Sequence, residues 1–261
     1  MPHSFISLND IELSFNRGTV NESPVFKGFS FSVDKGEFVS VVGSNGSGKT
    51  TMLNLICGSL SPDSGNIMLD GKDITGMPEY KRARRIGRVF QDPSKGSCPS
   101  LSVLENLCLA ENKGKAFGLS RAIEPKKKDG YKELLSRLGL GLEDKLDTAV
   151  GSLSGGQRQA LALVLATLTP IELLVLDEHT AALDPKASET VMELTLKLIE
   201  EGGLTALMVT HNLRFAVDYG SRVVMMHEGK SVLDSYGKDK SDYRVDDLLE
   251  LFNEISIECG N

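Results

Sequence analysis

Apolar positions change their period along this chain. Between residues 4 and 42 they fall in short runs, Phe5-Ile6-Ser7-Leu8, Ile11-Glu12-Leu13-Ser14-Phe15 and Phe29-Ser30-Phe31-Ser32-Val33, the last meeting Asp34-Lys35-Gly36. Short β-rich runs separated by turn residues predict an antiparallel sheet. Phe38-Val39-Ser40-Val41-Val42 then predicts a strand, and Thr51-Met52-Leu53-Asn54-Leu55-Ile56 a helix that ends near Gly58. Pro62-Asp63-Ser64-Gly65 predicts a turn, followed by a strand and hairpin over residues 66–72.

From Asp92 the pattern becomes helical. Ser102 and Glu105 have capping-box spacing ahead of Asn106-Leu107-Cys108-Leu109-Ala110. Residues 111–130 are polar and read as a flexible surface connection, after which Tyr131, Leu134, Leu135 and Leu138 recur at helical spacing until Gly139. Another helix opens at Arg158, so residues 92–160 are expected to form a mostly helical lobe. Leu173-Leu174-Val175-Leu176 and Ala206-Leu207-Met208-Val209 are continuous apolar runs of the kind found in buried parallel strands. Between them lies a helix with Asp184 as N-cap, Pro185 at N1 and Gly202 just past its end. Residues 222–233 read as a hairpin around Glu228-Gly229-Lys230, and Val245, Leu248, Leu249 and Phe252 as a closing helix.

The stretch Gly43-Ser44-Asn45-Gly46-Ser47-Gly48-Lys49-Thr50 sits between the predicted strand and helix, where a G-x-x-x-x-G-K-[ST] loop needs to be. Its glycines let successive backbone N–H groups close on an oxyanion. Lys49 supplies a point charge for β/γ-phosphates, and the Thr50 hydroxyl can bind Mg²⁺. Phe15 is either a core residue, the commoner case for its position, or an aromatic platform for a base. Arg82, Arg84, Arg85 and Arg88 read as a solvated basic face. Ser154-Gly155-Gly156-Gln157 opens a strong helix and is either an ordinary cap or an anion-facing helix mouth. Asp177 and Glu178 end a buried strand at the edge where open α/β sheets bind ligands. There Asp177 can reach a Mg²⁺ shell and Glu178 can take a proton from water. His211 ends another such strand.

Bulk properties narrow the classes. With 261 residues, 40% hydrophobic and 25% charged, the chain can bury a large core as one α/β domain or as a core with an inserted lobe. A net charge of −7 argues against a general nucleic-acid surface. Cys57, Cys98, Cys108 and Cys259 show no metal-ligand spacing and read as reduced cytosolic thiols. Met1-Pro2-His3-Ser4 does not open a secretory signal, and no run approaches the roughly 18 apolar residues of a membrane span, so membrane association is expected to go through a partner.

Taken in order, Phe15, the loop 43–50, Gln91, Leu153-Ser154-Gly155-Gly156-Gln157, Leu173–Glu178, Asp184 and His211 resemble the ATPase subunit of an ABC transporter along nearly the whole chain. The resemblance implies an α/β P-loop NTPase core of the RecA-like type with an N-terminal antiparallel β subdomain. It also implies one nucleotide-binding domain over 1–261, with a helical subdomain at 92–160. Phe15 looks like the adenine-stacking residue, and Gly43, Ser44, Asn45, Gly46, Ser47, Gly48, Lys49, Thr50 and Thr51 like the triphosphate and Mg²⁺ site. Gln91 resembles the glutamine that senses γ-phosphate beside the metal. Asp177 matches the Mg²⁺-associated acid, Glu178 the base and His211 the γ-phosphate switch. Ser154, Gly155, Gly156 and Gln157 would complete the site of a second copy, with Asp184 in the loop crossing the seam.

Two further stretches, Phe15-Asn16-Arg17-Gly18-Thr19-Val20-Asn21-Glu22 and Val89-Phe90-Gln91-Asp92-Pro93, narrow the likeness. So does Asp177–Pro185, with His179 where most relatives carry proline. These are similar to ATP-binding subunits of bacterial amino-acid uptake systems of the tryptophan or tyrosine type. The expectation is therefore an ATP- and Mg²⁺-dependent importer ATPase, peripheral to the cytoplasmic face of the cell membrane. It would be homodimeric, docked to membrane permease subunits near 91–110, served indirectly by a solute-binding protein and without nucleic acid. Soluble ABC ATPases of assembly machines, such as iron–sulfur cluster building, share the same motifs.

Overall fold

In the computed structural model, which describes residues 4–115, 127–236 and 245–250, the first two apolar runs belong to one strand, β1 (Ile6–Phe15). The turn signal between them is a bulge. Asp10 has φ 51°, the pairing register shifts between Leu8 and Ile11, and the Ser30 hydroxyl accepts the Asp10 N–H at 3.0 Å. An extra residue bends a strand without reversing it. Around β1 lie β2 (Ser23–Val33), β4 (Ser64–Leu69) and β5 (Lys72–Asp73), all antiparallel in the order β2-β1-β4-β5.

The chain divides into two compact units, Met1–Arg82 with Leu204–Asn261, and Ala83–Gly203. In the first unit β3 (Phe38–Gly43) is buried along its whole length between two parallel neighbours, β8 (Thr205–Val209) and β9 (Arg222–His227). Burial on both faces is why these segments read as continuous apolar runs. The predicted terminal hairpin is β9 paired antiparallel with β10 (Lys230–Tyr236). Helix α1 (Lys49–Cys57) starts two residues earlier than its apolar run and stops at left-handed Gly58. Val42, Val223 and Met225 pack with Ala216 of α7 (Leu213–Asp218) and with Leu248, which lies in the helical segment 245–250. Phe252 of the expected closing helix lies outside the described residues.

The arginine-rich run is not a solvated face. Arg82, at the end of α2 (Glu79–Arg82), is 2% exposed. Its guanidinium donates to the carbonyls of Leu55 at 2.7 Å and Ile56 at 3.0 Å, and to those of Thr75 and Met77. A helix leaves its last four carbonyls without partners, and Arg82 satisfies two of those of α1. Arg85 pairs with Glu172, Arg88 with Asp177, and only Arg84 lies on the exposed surface.

In the second unit β6 (Ile86–Val89) runs parallel to β7 (Leu173–Asp177). Helices α3 (Val103–Glu111), α4 (Lys128–Ser136) and α5 (Gly155–Thr167) share a core that includes Leu107, Tyr131, Leu135, Leu161 and Val164. The Ser102–Glu105 capping box is present. Residues 116–126 of the expected surface connection lie outside the described residues, but its last part is already structured. Lys127 pairs with Glu111 at 3.0 Å, and α4 begins at Lys128. Helix α6 (Pro185–Gly202) ends one residue later than expected, Gly202 being its last residue and Gly203 the left-handed cap at φ 56°. The span 92–160 lies inside this unit, which also contains β6, β7 and α6. Cys57, Cys98 and Cys108 form no disulfide among the described residues, and Cys259 lies outside them.

Candidate active site

Glycine at 43 is required by space as well as by dihedral. Its φ is 151°, and a Cβ there would collide with the Met226 carbonyl oxygen of the neighbouring strand. Gly48 caps α1 at φ 100° and makes no side-chain cap to that helix. A helix mouth left without a side-chain cap directs N–H donors and positive dipole at an anion. Lys49 is buried and folds back over the loop, its Nζ donating to the carbonyls of Gly43 and Ser44, both at 2.8 Å, with Ser47 Oγ at 3.4 Å. The ammonium therefore lies along the inner wall of the loop. Thr50 is exposed and Thr51 half-buried on the same first turn.

The β9–β10 turn clasps this loop from outside. Gly229 N–H donates to Ser47 O at 3.1 Å, and His227 Nδ1 lies 3.4 Å from Ser44 Oγ. No local motif marks His227; a parallel β3–β9 pairing, which puts Gly43 opposite Met226, was the signal that could have found it. Phe15, at the end of β1, is 40% exposed, so the core reading of its position fails. An exposed aromatic is free to serve as a platform. His211 is also exposed, two residues past the end of β8.

The second unit carries the acids. Asp177 ends β7 and is 8% exposed. Its Oδ2 accepts from Arg88 Nη2 at 2.8 Å, in a pair whose side chains are each 11% exposed. Arg88 lies on β6 opposite Val175, and its guanidinium stacks over the Phe90 ring at 4.6 Å. Gln91 follows on the surface. Glu178 is half-buried at φ 48°, a left-handed conformation that is strained for a residue with a Cβ. The next residue anchors it. His179 is buried, and its Nε2 lies 3.2 Å from Thr195 Oγ1 on α6, whose hydroxyl donates to Val191 O at 2.7 Å. The threonine oxygen is therefore the acceptor and His179 the Nε2–H tautomer. Burial pushes its pKa down to about 4.

Ser154 caps α5. It accepts the Gln157 N–H at 3.3 Å, while Gln157 Oε1 accepts the Ser154 N–H at 3.2 Å and the Lys145 ammonium at 3.1 Å. Gln157 Nε2 donates to Leu140 O at 2.9 Å, so this amide organises the helix mouth. A Cβ on Gly155 would lie 3.2 Å from Leu183, and one on Gly156 3.3 Å from Ala187. The two glycines let α5 approach the loop that leads into α6, where Asp184 accepts the Ala187 N–H at 3.0 Å. Thus the first unit holds Phe15, Gly43–Thr51 and His211, and the second Gln91, Ser154–Gln157, Asp177, Glu178 and Asp184.

Comparison with known proteins gives three kinds of match. The family model described as ABC transporter fits residues 26–181. A tyrosine transport ATP-binding protein of Clostridioides difficile (strain R20291) is 46% identical over 247 residues, covering 95% of this chain and 98% of that protein. Among solved structures, a dimeric ATP-binding cassette in a post-hydrolysis state with ADP and phosphate superposes with a TM-score of 0.74 and 28% identity, over 88% of this chain and 98% of that one. A Clostridium perfringens cassette that is part of the CbiONQ transporter complex gives 0.76 and 26%, over 96% and 95%.

Proposed function

This chain belongs to the ABC transporter ATP-binding family, and from that premise we propose how its residues divide the work and what it helps to import. It is an ATP-binding and ATP-hydrolysing subunit of an importer, with a P-loop NTPase fold. Its cargo is an aromatic amino acid of the tyrosine type. The observation that carries this is the 46% identity with a tyrosine transport subunit along 95% of the chain.

In the proposed site Lys49 and the N–H groups of residues 43–51 take the triphosphate, and Phe15 stacks on the base. The Thr50 hydroxyl of the first unit, and the Asp177 carboxylate and Gln91 amide oxygen of the second, are each oxygen donors of the kind Mg²⁺ takes, a hard cation usually held by one or two carboxylates plus substrate phosphates. When bound, the metal neutralises charge that develops on the phosphoryl oxygens. Glu178 takes the proton of the attacking water, and His211 contacts the γ-phosphate. Ser154, Gly155, Gly156 and Gln157 of one copy close over nucleotide seated in a second, so the working unit is a homodimer. The segment near 91–110, in the proposed helical subdomain, meets the permease at the cytoplasmic face of the membrane. A solute-binding protein would deliver the amino acid on the other side. Among the described residues no helix is long and apolar enough to cross a membrane.

Detergent-solubilised membranes of the native host, pulled down through a tagged copy of this chain, are expected to yield a multi-span permease. Uptake of labelled tyrosine should fall when Lys49→Ala replaces the natural chain. Recovery of a wholly soluble complex, with aromatic amino-acid uptake unchanged, overturns the importer reading.

A further inference from the structure

We propose that Arg88 is a positioning residue for the metal, holding the Asp177 carboxylate in the orientation that Mg²⁺·ATP needs and linking it to the segment that carries Gln91. The inference rests on the nucleotide reading above. Four observations within the second unit carry it.

Asp177 is a nearly buried carboxylate, and among the described residues Arg88 is its ion-pair partner, at 2.8 Å. The bond is made to Oδ2, so Arg88 fixes one of the two carboxylate oxygens directly. Arg88 is itself held on two sides. Its backbone is fixed in the β6–β7 ladder, and its guanidinium carbon lies over the ring of Phe90, the residue before Gln91. Finally, its Nε is buried and has no hydrogen-bond partner among the described residues. A buried unpaired donor costs free energy, so stability alone does not account for an arginine here. One guanidinium thus touches the acid on one strand and stacks on the aromatic at the exit of the next.

Groups that hydrogen-bond a ligating carboxylate fix its direction, and their removal usually costs about 10–100-fold in metal affinity. Pure electrostatics predicts the opposite. A cation beside Asp177 repels Mg²⁺, and deleting it would tighten binding. The sign of the effect therefore separates positioning from simple charge.

The experiment titrates Mg²⁺ into the full chain with the non-hydrolysable analogue AMP-PNP, followed by calorimetry, with a parallel analogue titration in EDTA. In Arg88→Met the Mg²⁺ midpoint is expected to rise about tenfold, while analogue binding in EDTA stays as in the natural chain. Arg88→Lys should recover part of the loss. An unchanged or lower midpoint in folded Arg88→Met overturns the proposal. If Arg88→Met does not fold, Arg88→Lys and Phe90→Leu keep a positive charge beside Asp177 and decide the matter. Both should raise the midpoint, by less than the loss of the cation would, and no change in either overturns it. Failure of the natural chain to bind AMP-PNP at any Mg²⁺ concentration would instead remove the nucleotide reading itself.

Discussion

The glycine-rich loop at 43–50, the proposed phosphate site, takes its shape from backbone, whereas the acid end of β7 takes its shape from side chains. At the loop, Gly43 and Gly48 adopt positive φ, Gly229 N–H bonds Ser47 O, and α1 opens without a side-chain cap. At the acids, Arg88 holds Asp177, His179 is tied to Thr195, and α5 opens under a Ser154–Gln157 capping box. The difference follows from chemistry. A polyanion is best met by many fixed N–H donors, which side chains would obstruct. A proton acceptor has to be one carboxylate aimed in one direction, and only packing and hydrogen bonds from neighbouring side chains aim it.

The largest expected effect breaks the two ends apart. Glu178→Gln should lower turnover by about 10²–10⁴-fold while leaving nucleotide binding intact, as read by phosphate release and by calorimetry. Near-normal turnover would remove Glu178 as the base.

His179 sharpens the contrast through pH. Its folded pKa of about 4 lies below the ordinary histidine value, so the unfolded chain binds a proton over a range where the folded chain does not. Its contribution is fully present above about pH 6.5 and is lost as pH falls toward 4, in total about 3 kcal/mol. Urea midpoints measured across that range should fall more steeply in the natural chain than in His179→Gln, and equal slopes would contradict the burial of a neutral imidazole.

Lys49→Ala tests the backbone-built end. Losing one charged donor from the loop should weaken ATP binding about 10–100-fold, on the scale of 1.5–3 kcal/mol for a charged hydrogen bond, and unchanged affinity by calorimetry would count against the loop as the phosphate site. The smallest effect separates the two kinds of helix mouth. Ser154→Ala should cost about 1 kcal/mol of stability in urea unfolding, the usual value of a lost N-cap.

Much of this was legible because it is local. The strand–loop–helix around Lys49, the capping box at Ser102, the helix cap at Ser154 and the Asp184–Pro185 helix start all depend on residues within a few positions of one another. What could not be read involves partners distant in the chain. Four arginines between 82 and 88 look alike in sequence, yet Arg82 reaches the end of α1 and Arg88 the end of β7, 89 positions away. His179 finds Thr195 16 residues on, one helical face removed, and His227 meets Ser44 through β9 lying beside β3. The bulge at Asp10 looked like a turn because asparagine and aspartate adopt left-handed backbone in either setting.

By itself the sequence determined the strand–loop–helix around Lys49, the buried strand that ends in Asp177, several helix starts and the family to which the motifs belong. These depend on backbone dihedrals and short-range periodicity, which a few neighbouring residues dictate. The tertiary structure alone decided which charges are buried, which carboxylate is held and by what, and that Phe15 faces solvent. Those outcomes depend on desolvation and on pairing between segments far apart in the chain, and such energies exist only once the segments have been brought together.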